Sequence, residues 1–123
     1  MVEKYLEVIQ NIFPLLSTIE EGFYHVKKQL SELRYEEAFI LLQDIMIGIA
    51  SVESAIESMK SELPESDIAI FAEILKRTMS NIVSSYEQKR EINLEKQVGE
   101  DILPVFKMWK QELEKTLKPY IIS

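Results

Sequence analysis

The sequence predicts an all-α protein that folds as an antiparallel up-down-up-down four-helix bundle with long helices. Two observations support this prediction. Apolar residues recur every three or four positions through most of the chain, and only 3 glycines and 4 prolines occur among 123 residues. The spacing places an apolar stripe along one side of each helix. The scarcity of glycine and proline leaves long stretches without residues that weaken helices.

The first two predicted helices span residues 2–33 and 35–62. The stripe of the first comprises Val2, Tyr5, Ile9, Ile12, Leu16, Ile19, Phe23, Val26, Leu30 and Leu33. The stripe of the second comprises Tyr35, Ala38, Leu42, Ile45, Ile49, Val52, Ile56, Met59 and Leu63. Because the connection between the two helices is short, we expect them to form an antiparallel hairpin.

Proline lies inside the first predicted helix, at Pro14. Because the apolar stripe keeps its phase across Pro14, we expect a kink there and not two separate helices. The alternative is a break near residues 11–14, with a second helix that begins at Pro14. The sequence Ser17-Thr18-Ile19-Glu20 matches a capping box and would explain such a restart.

The third and fourth predicted helices span residues 65–91 and 94–118. Pro64 suits a first helical turn, and Ser66 or Asp67 could cap the third helix. Gly99 and Pro104 weaken the start of the fourth helix, so we expect a kink or break there. The inner positions of these helices are Ile68, Phe71, Leu75, Ile82 and Tyr86, then Ile102, Phe106, Trp109, Leu113 and Leu117. We expect Trp109 to lie in the core and residues 120–123 to dock as a short tail.

Composition indicates one domain, residues 1–123, and excludes several classes of protein. The absence of cysteine excludes disulfides and thiolate chemistry. Residues 1–62 carry 5 basic and 11 acidic groups and residues 63–123 carry 9 and 10, so most of the net charge of −7 lies in the first half. This balance argues against nucleic acid as a partner. With no apolar run long enough to span a bilayer and charges near the N-terminus, we expect a cytoplasmic protein without a membrane span.

Catalytic, metal-binding and cofactor-binding residues are not indicated by any motif. The single histidine, His25, lies beside the apolar stripe and lacks the Glu-x-x-His spacing of carboxylate metal sites in helical bundles. Neighbouring acids such as Glu36 and Glu37 point in different directions on a helix. Glu53 and Glu57 share a face, but such pairs are usually solvated. We therefore expect a protein that is not an enzyme and has no cofactor.

The second predicted helix carries more apolar residues than a bundle helix needs. Ile40 and Ile47 lie nearly opposite its core stripe, and Phe39 and Met46 widen the stripe on one flank. One hypothesis is that these four residues form an interface with a partner helix or with a second copy of the chain. The alternative is that the tail at residues 120–122, or a skewed bundle, covers them. Gly22 and Gly48 could mark a close crossing of two helices.

Some segments of the chain also resemble an uncharacterised family of small bacterial helical-bundle proteins. The resemblance rests on Tyr35-Glu36-Glu37-Ala38, Leu41-Leu42-Gln43-Asp44-Ile45 and Gly48-Ile49, followed by Gly99-Glu100-Asp101-Ile102-Leu103-Pro104 and Trp109. It implies no activity and no catalytic residues. By architecture and acidity alone, the chain is also similar to export chaperones for flagellar and secretion substrates.

These observations favour a non-catalytic protein-interaction module, such as a chaperone-like adaptor that binds a partner helix through the second helix. A homo-oligomeric structural bundle, such as a homodimer, is the first alternative. A metal-binding or enzymatic bundle is the least favoured, because the apolar stripe of the first two helices contains neither acids nor histidine.

Overall fold

The computed structural model describes residues 5–88 and 93–121. The chain forms an all-α four-helix bundle, as the sequence predicted. The helices are α1 (Leu6–Ser31), α2 (Tyr35–Ser58), α3 (Ile68–Glu87) and a fourth helix in consecutive pieces, which begins with α4 (Leu94–Gln97) and ends with α5 (Leu103–Leu117). A π-helical turn, Val98–Ile102, joins α4 to α5. Short 3-10 turns follow α2 (Lys60–Glu62) and α5 (Lys118–Tyr120).

Helix α1 runs without interruption through Pro14, so the alternative of a break near residues 11–14 is wrong. Ser17 consequently lies inside the helix and does not cap it. The helix ends where Leu33 adopts a φ of 61° and Arg34 donates a backbone hydrogen bond to the carbonyl of Gln29 at 2.9 Å. This is the Schellman arrangement, which turns the chain sharply. Leu33 is 70% exposed, so its assignment to the buried stripe was wrong.

The connection between α2 and α3 is longer than predicted. Leu63 is extended, with φ −101° and ψ 150°, because the residue before a proline avoids the helical region. Pro64 therefore lies in the loop and not in the first turn of α3. The backbone N–H of Ile68 donates to the Ser66 hydroxyl at 3.4 Å at the start of that helix. The predicted end of the third helix, residues 89–91, lies outside the described residues.

The fourth helix changes its winding where Gly99 and Pro104 predicted a kink or break. The N–H of Leu103 donates to the carbonyl of Val98, five residues earlier, which defines the π-helical turn. Pro104 follows directly in the first turn of α5.

One hydrophobic core runs the length of the bundle. Trp109 is fully buried, as predicted, and lies beside Phe106, whose ring also meets Phe23 edge-on at 5.2 Å. Tyr120 and Ile121, at the start of the predicted docked tail, pack partly buried against this core. Val2, Ile122 and Ser123 lie outside the described residues.

Candidate protein interface

Helix α2 buries one stripe and exposes another on its opposite side. Its buried residues are Ala38, Leu42, Ile45, Ile49 and Val52. Ile40 and Ile47, two turns apart, are 60% and 66% exposed. Gln43, Asp44, Ala50, Ser51 and Ser54 are exposed beside them. We call this set, Ile40, Gln43, Asp44, Ile47, Ala50, Ser51 and Ser54, the outer face of α2. It carries one charge, at Asp44, and small residues at one end.

The structure separates the four predicted interface residues into two pairs. Ile40 and Ile47 lie on the outer face. Phe39 instead stacks on Tyr86 of α3, with ring centroids 4.2 Å apart and planes within 4° of parallel. Met46 is partly buried against the core. Phe39 therefore contributes to the packing of α2 against α3, and Met46 contributes to the packing of α2 against the core.

The tail does not shield the outer face within the described residues. Tyr120 and Ile121 pack against the core, and Ile40 and Ile47 remain the most exposed apolar side chains of α2. Two such residues on one face form an exposed apolar patch, a feature of contact sites on small proteins.

Helix α2 carries five acidic residues and no basic residue. Its charged residues are Glu36, Glu37, Asp44, Glu53 and Glu57. Glu37 pairs with Arg34, just before the helix. Glu53 turns toward α3 and pairs with Lys76 at 3.2 Å, and this hydrogen bond raises the pKa of Lys76 above its ordinary value. Glu53 is therefore held in a contact between α2 and α3 and does not form a functional pair with Glu57.

His25 and the acidic residues of α1 form no metal-binding cluster within the described part of the chain. His25 is exposed on α1. Glu20, also on α1, pairs with Lys110 of α5 at 3.0 Å. In residues 5–88 and 93–121, no three His, Asp or Glu side chains come together in a way that could hold a metal ion.

Helix α2 also has the length and composition of a membrane-spanning helix, with a mean hydropathy of 1.7 over its most apolar stretch. Only 22% of that stretch is buried in the bundle, which agrees with the apolar outer face. Core helices of soluble proteins share such hydropathy, so the prediction of no membrane span stays a prediction.

Sequence reasoning missed a second exposed apolar position on α3. Ile70 is 58% exposed and Ile74 is 38% exposed. The signal was available, because neither residue falls on the inner stripe that includes Ile68 and Leu75. Ile70 has nearly the exposure of Ile47 and lies on another helix, which makes it a matched reference position for experiments.

The architecture defines the chain as a four-helix bundle whose second helix exposes an apolar pair, Ile40 and Ile47. It belongs to a domain family of unknown function (DUF8042), whose profile matches residues 7–112. The match covers all of α2 and α3 and most of α1 and α5. No curated protein and no solved structure matches the chain significantly.

Proposed function

We propose that this protein is a non-catalytic interaction module that binds an amphipathic helix of a partner protein across the outer face of α2. The observation that supports the proposal is the exposure of Ile40 and Ile47 two turns apart on one face of α2. Burying a side chain of this size contributes roughly 1.5–3 kcal/mol. A partner helix with apolar residues two turns apart would gain this contribution at both positions.

Charge favours a basic partner helix over a second copy of the chain. The outer face includes Asp44 and has the exposed Glu36 beside it, and α2 carries no lysine or arginine. If two copies paired antiparallel about Ile47, Glu37 of each would lie opposite Glu57 of the other. Like charges in such positions weaken association. Lysines or arginines beside the apolar stripe of a partner helix would instead complement Glu36 and Asp44.

A chaperone-like adaptor role would fit this surface, since chaperones of that kind hold an amphipathic segment of a client. The cytoplasmic localisation and bacterial origin suggested by the sequence belong to the same proposal. They rest on the acidic composition and on the resemblance described above, and not on the outer face itself.

The test uses two synthetic amphipathic helices with the same leucine stripe, one flanked by lysines and the other by glutamates. We expect the lysine-flanked peptide to bind the wild-type protein and the Ile70→Glu control. Ile47→Glu should weaken that binding by about thirtyfold or more, as expected for a central interface residue. The glutamate-flanked peptide should not bind the wild-type protein or either of the two variants. Circular dichroism verifies that each variant remains folded.

Three results would contradict the proposal. Equal binding by Ile47→Glu and Ile70→Glu would place the contact elsewhere. A concentration-dependent dimer in light scattering that Ile47→Glu abolishes would assign the face to a second copy. Binding to neutral lipid vesicles that Ile47→Glu abolishes, without peptide binding, would assign it to a membrane surface.

A further inference from the structure

A cavity opens at the end of the bundle where α2 ends and α3 begins. Its volume is about 380 Å³, which falls in the range of small-molecule sites. The last turns of α2, the loop after it and the first turns of α3 contribute most of its lining. The outer face of α2 shares no residue with this lining, so the cavity is a separate site.

The interior of the cavity is mostly apolar. Ile56 of α2, Leu63 of the loop and Ile68 of α3 contribute its walls, and Ile56 and Leu63 are only partly buried. Ala69 and Ala72 also line it from α3, where longer side chains would fill the space. Because contact with a hydrocarbon chain removes apolar surface from water, the interior suits an alkyl group.

Charged side chains surround the mouth of the cavity. The lining residues Glu57, Lys60 and Glu65 are exposed, and none of the three forms an ion pair within the described part of the chain. Glu53 also lines the cavity, but Lys76 of α3 pairs with it at 3.2 Å. At the mouth, two unpaired carboxylates therefore face one ammonium group.

The surrounding segment adds to this negative charge. Residues 57–67 contain four acids and one lysine. The C-terminal end of α2 and the N-terminal end of α3 both lie at the cavity, so their helix dipoles oppose each other and the side-chain charges decide the local potential. A cation at the mouth would be attracted, and an anion would be repelled.

We propose that this cavity binds a small cationic amphiphile, a molecule with one protonated amine and one alkyl chain. The alkyl chain lies against Ile56, Leu63 and Ile68, and the ammonium group lies at the mouth beside Glu57 and Glu65. The site does not depend on the helix-binding face proposed above, because the two share no residue and either can fail without the other.

Three probes with alkyl chains of nearly equal length separate the contribution of the chain from that of the charge. They are octylammonium, octanol and octanoate. We expect octylammonium to bind about fivefold more tightly than octanol, as one net charge near a surface predicts, and octanoate to bind more weakly than octanol. High salt should reduce the preference for octylammonium, because it screens exposed charges.

The alanine methyl groups report where the probes bind. In a sample labelled with ¹³C at these methyl groups, the resonances of Ala69 and Ala72 should shift in a saturable way. The methyl resonance of Ala50, on the outer face of α2, serves as the internal reference and should not move.

A first pair of variants tests the cavity itself. Ala69 is exposed and lines the cavity, so Ala69→Leu should narrow the mouth and weaken octylammonium and octanol alike, by about tenfold or more. Ala50→Leu makes the same change on the outer face of α2 and should bind both probes as the wild type does.

A second pair of variants tests the charges at the mouth. The double variant Glu57→Gln with Glu65→Gln should bind octylammonium and octanol almost equally, with the affinity for octanol unchanged. The matched control is Glu21→Gln with Glu95→Gln, which alters the net charge equally at exposed positions outside the cavity lining. This control should keep the wild-type preference. Circular dichroism verifies that each variant remains folded.

The opposite results would overturn the inference. If no probe shifts Ala69 and Ala72 in a saturable way, the cavity is not a ligand site. Equal binding of all three probes, or tighter binding of octanoate, would contradict the cationic class. Undiminished binding by Ala69→Leu would place the ligand outside the cavity. A preference for octylammonium that survives in the double glutamine variant would remove the role of Glu57 and Glu65.

Discussion

Gly22 of α1 lies directly against the side chain of Ile45 of α2, so that a Cβ atom at position 22 would approach Cδ1 of Ile45 to 3.1 Å. The relation is reciprocal along the hairpin, because a Cβ at Gly48 of α2 would approach Cδ1 of Ile19 of α1 to 3.3 Å. The two glycines therefore mark a close crossing of α1 and α2, as the sequence suggested. Gly48 serves this contact and is not part of the outer face.

The two glycines differ in how much room they leave. Alanine gains about 1 kcal/mol over glycine in a helix interior. At Gly22 the new methyl group would press on both Cδ1 and Cγ1 of buried Ile45 at 3.1 and 3.2 Å, so we expect Gly22→Ala to destabilise by about 1 kcal/mol. At Gly48 the contacts are 3.3 and 3.5 Å. For Gly48→Ala, the gain in helix propensity should therefore roughly balance the cost of crowding against Ile19. Urea unfolding of both variants checks this order, and a more stable Gly22→Ala variant would show that the crossing is loose.

Leu33 adopts a left-handed backbone conformation although its side chain is mostly exposed. Its φ of 61° is unfavourable for a side chain with a Cβ, and it is 70% exposed. We expect Leu33→Gly to raise the free energy of unfolding by about 1 kcal/mol. Leu33→Ala is the matched control, because it removes the exposed side chain and keeps the strain, and it should have little effect. Equal effects of the two substitutions would assign the change to lost side-chain contacts.

The ion pair between Glu20 and Lys110 joins α1 to α5 in a partly shielded position, with side-chain exposures of 26% and 20%. Because removal of one partner leaves the other charge poorly solvated, we expect Lys110→Met to cost about 1 kcal/mol. The more exposed pair of Lys96 and Glu100, at 3.9 Å, provides the control, and Lys96→Met should be nearly neutral. A double-mutant cycle with Glu20→Gln measures the coupling energy between the two side chains. A coupling energy of zero would show that the pair contributes only contact area.

The helical pattern predicted the fold because burial follows the three-four spacing closely, as the buried residues of α1 and α2 show. Helix ends were less predictable. They depend on local backbone choices, such as the left-handed Leu33 and the extended Leu63, that periodicity does not encode. The division of the interface residues was also beyond the sequence. Whether a flank position such as Phe39 faces water or Tyr86 depends on where α3 lies.

The neighbours Phe39 and Ile40 provide the sharpest test of how α2 divides its apolar residues. Phe39 stacks on Tyr86 inside the bundle, so we expect Phe39→Ala to destabilise by about 1–2 kcal/mol, less than for a fully buried ring. Ile40 is 60% exposed, so Ile40→Ala should change stability by less than about 0.5 kcal/mol.

Binding should show the opposite order. Ile40→Ala should weaken capture of the lysine-flanked helix, whereas Phe39→Ala should leave it close to the wild type, under conditions where both variants are folded. Thermal unfolding and peptide titration of the same two samples give both quantities. If Phe39→Ala weakened binding while stability stayed unchanged, Phe39 would belong to the docking surface, and its stacking on Tyr86 would have to open when the partner binds.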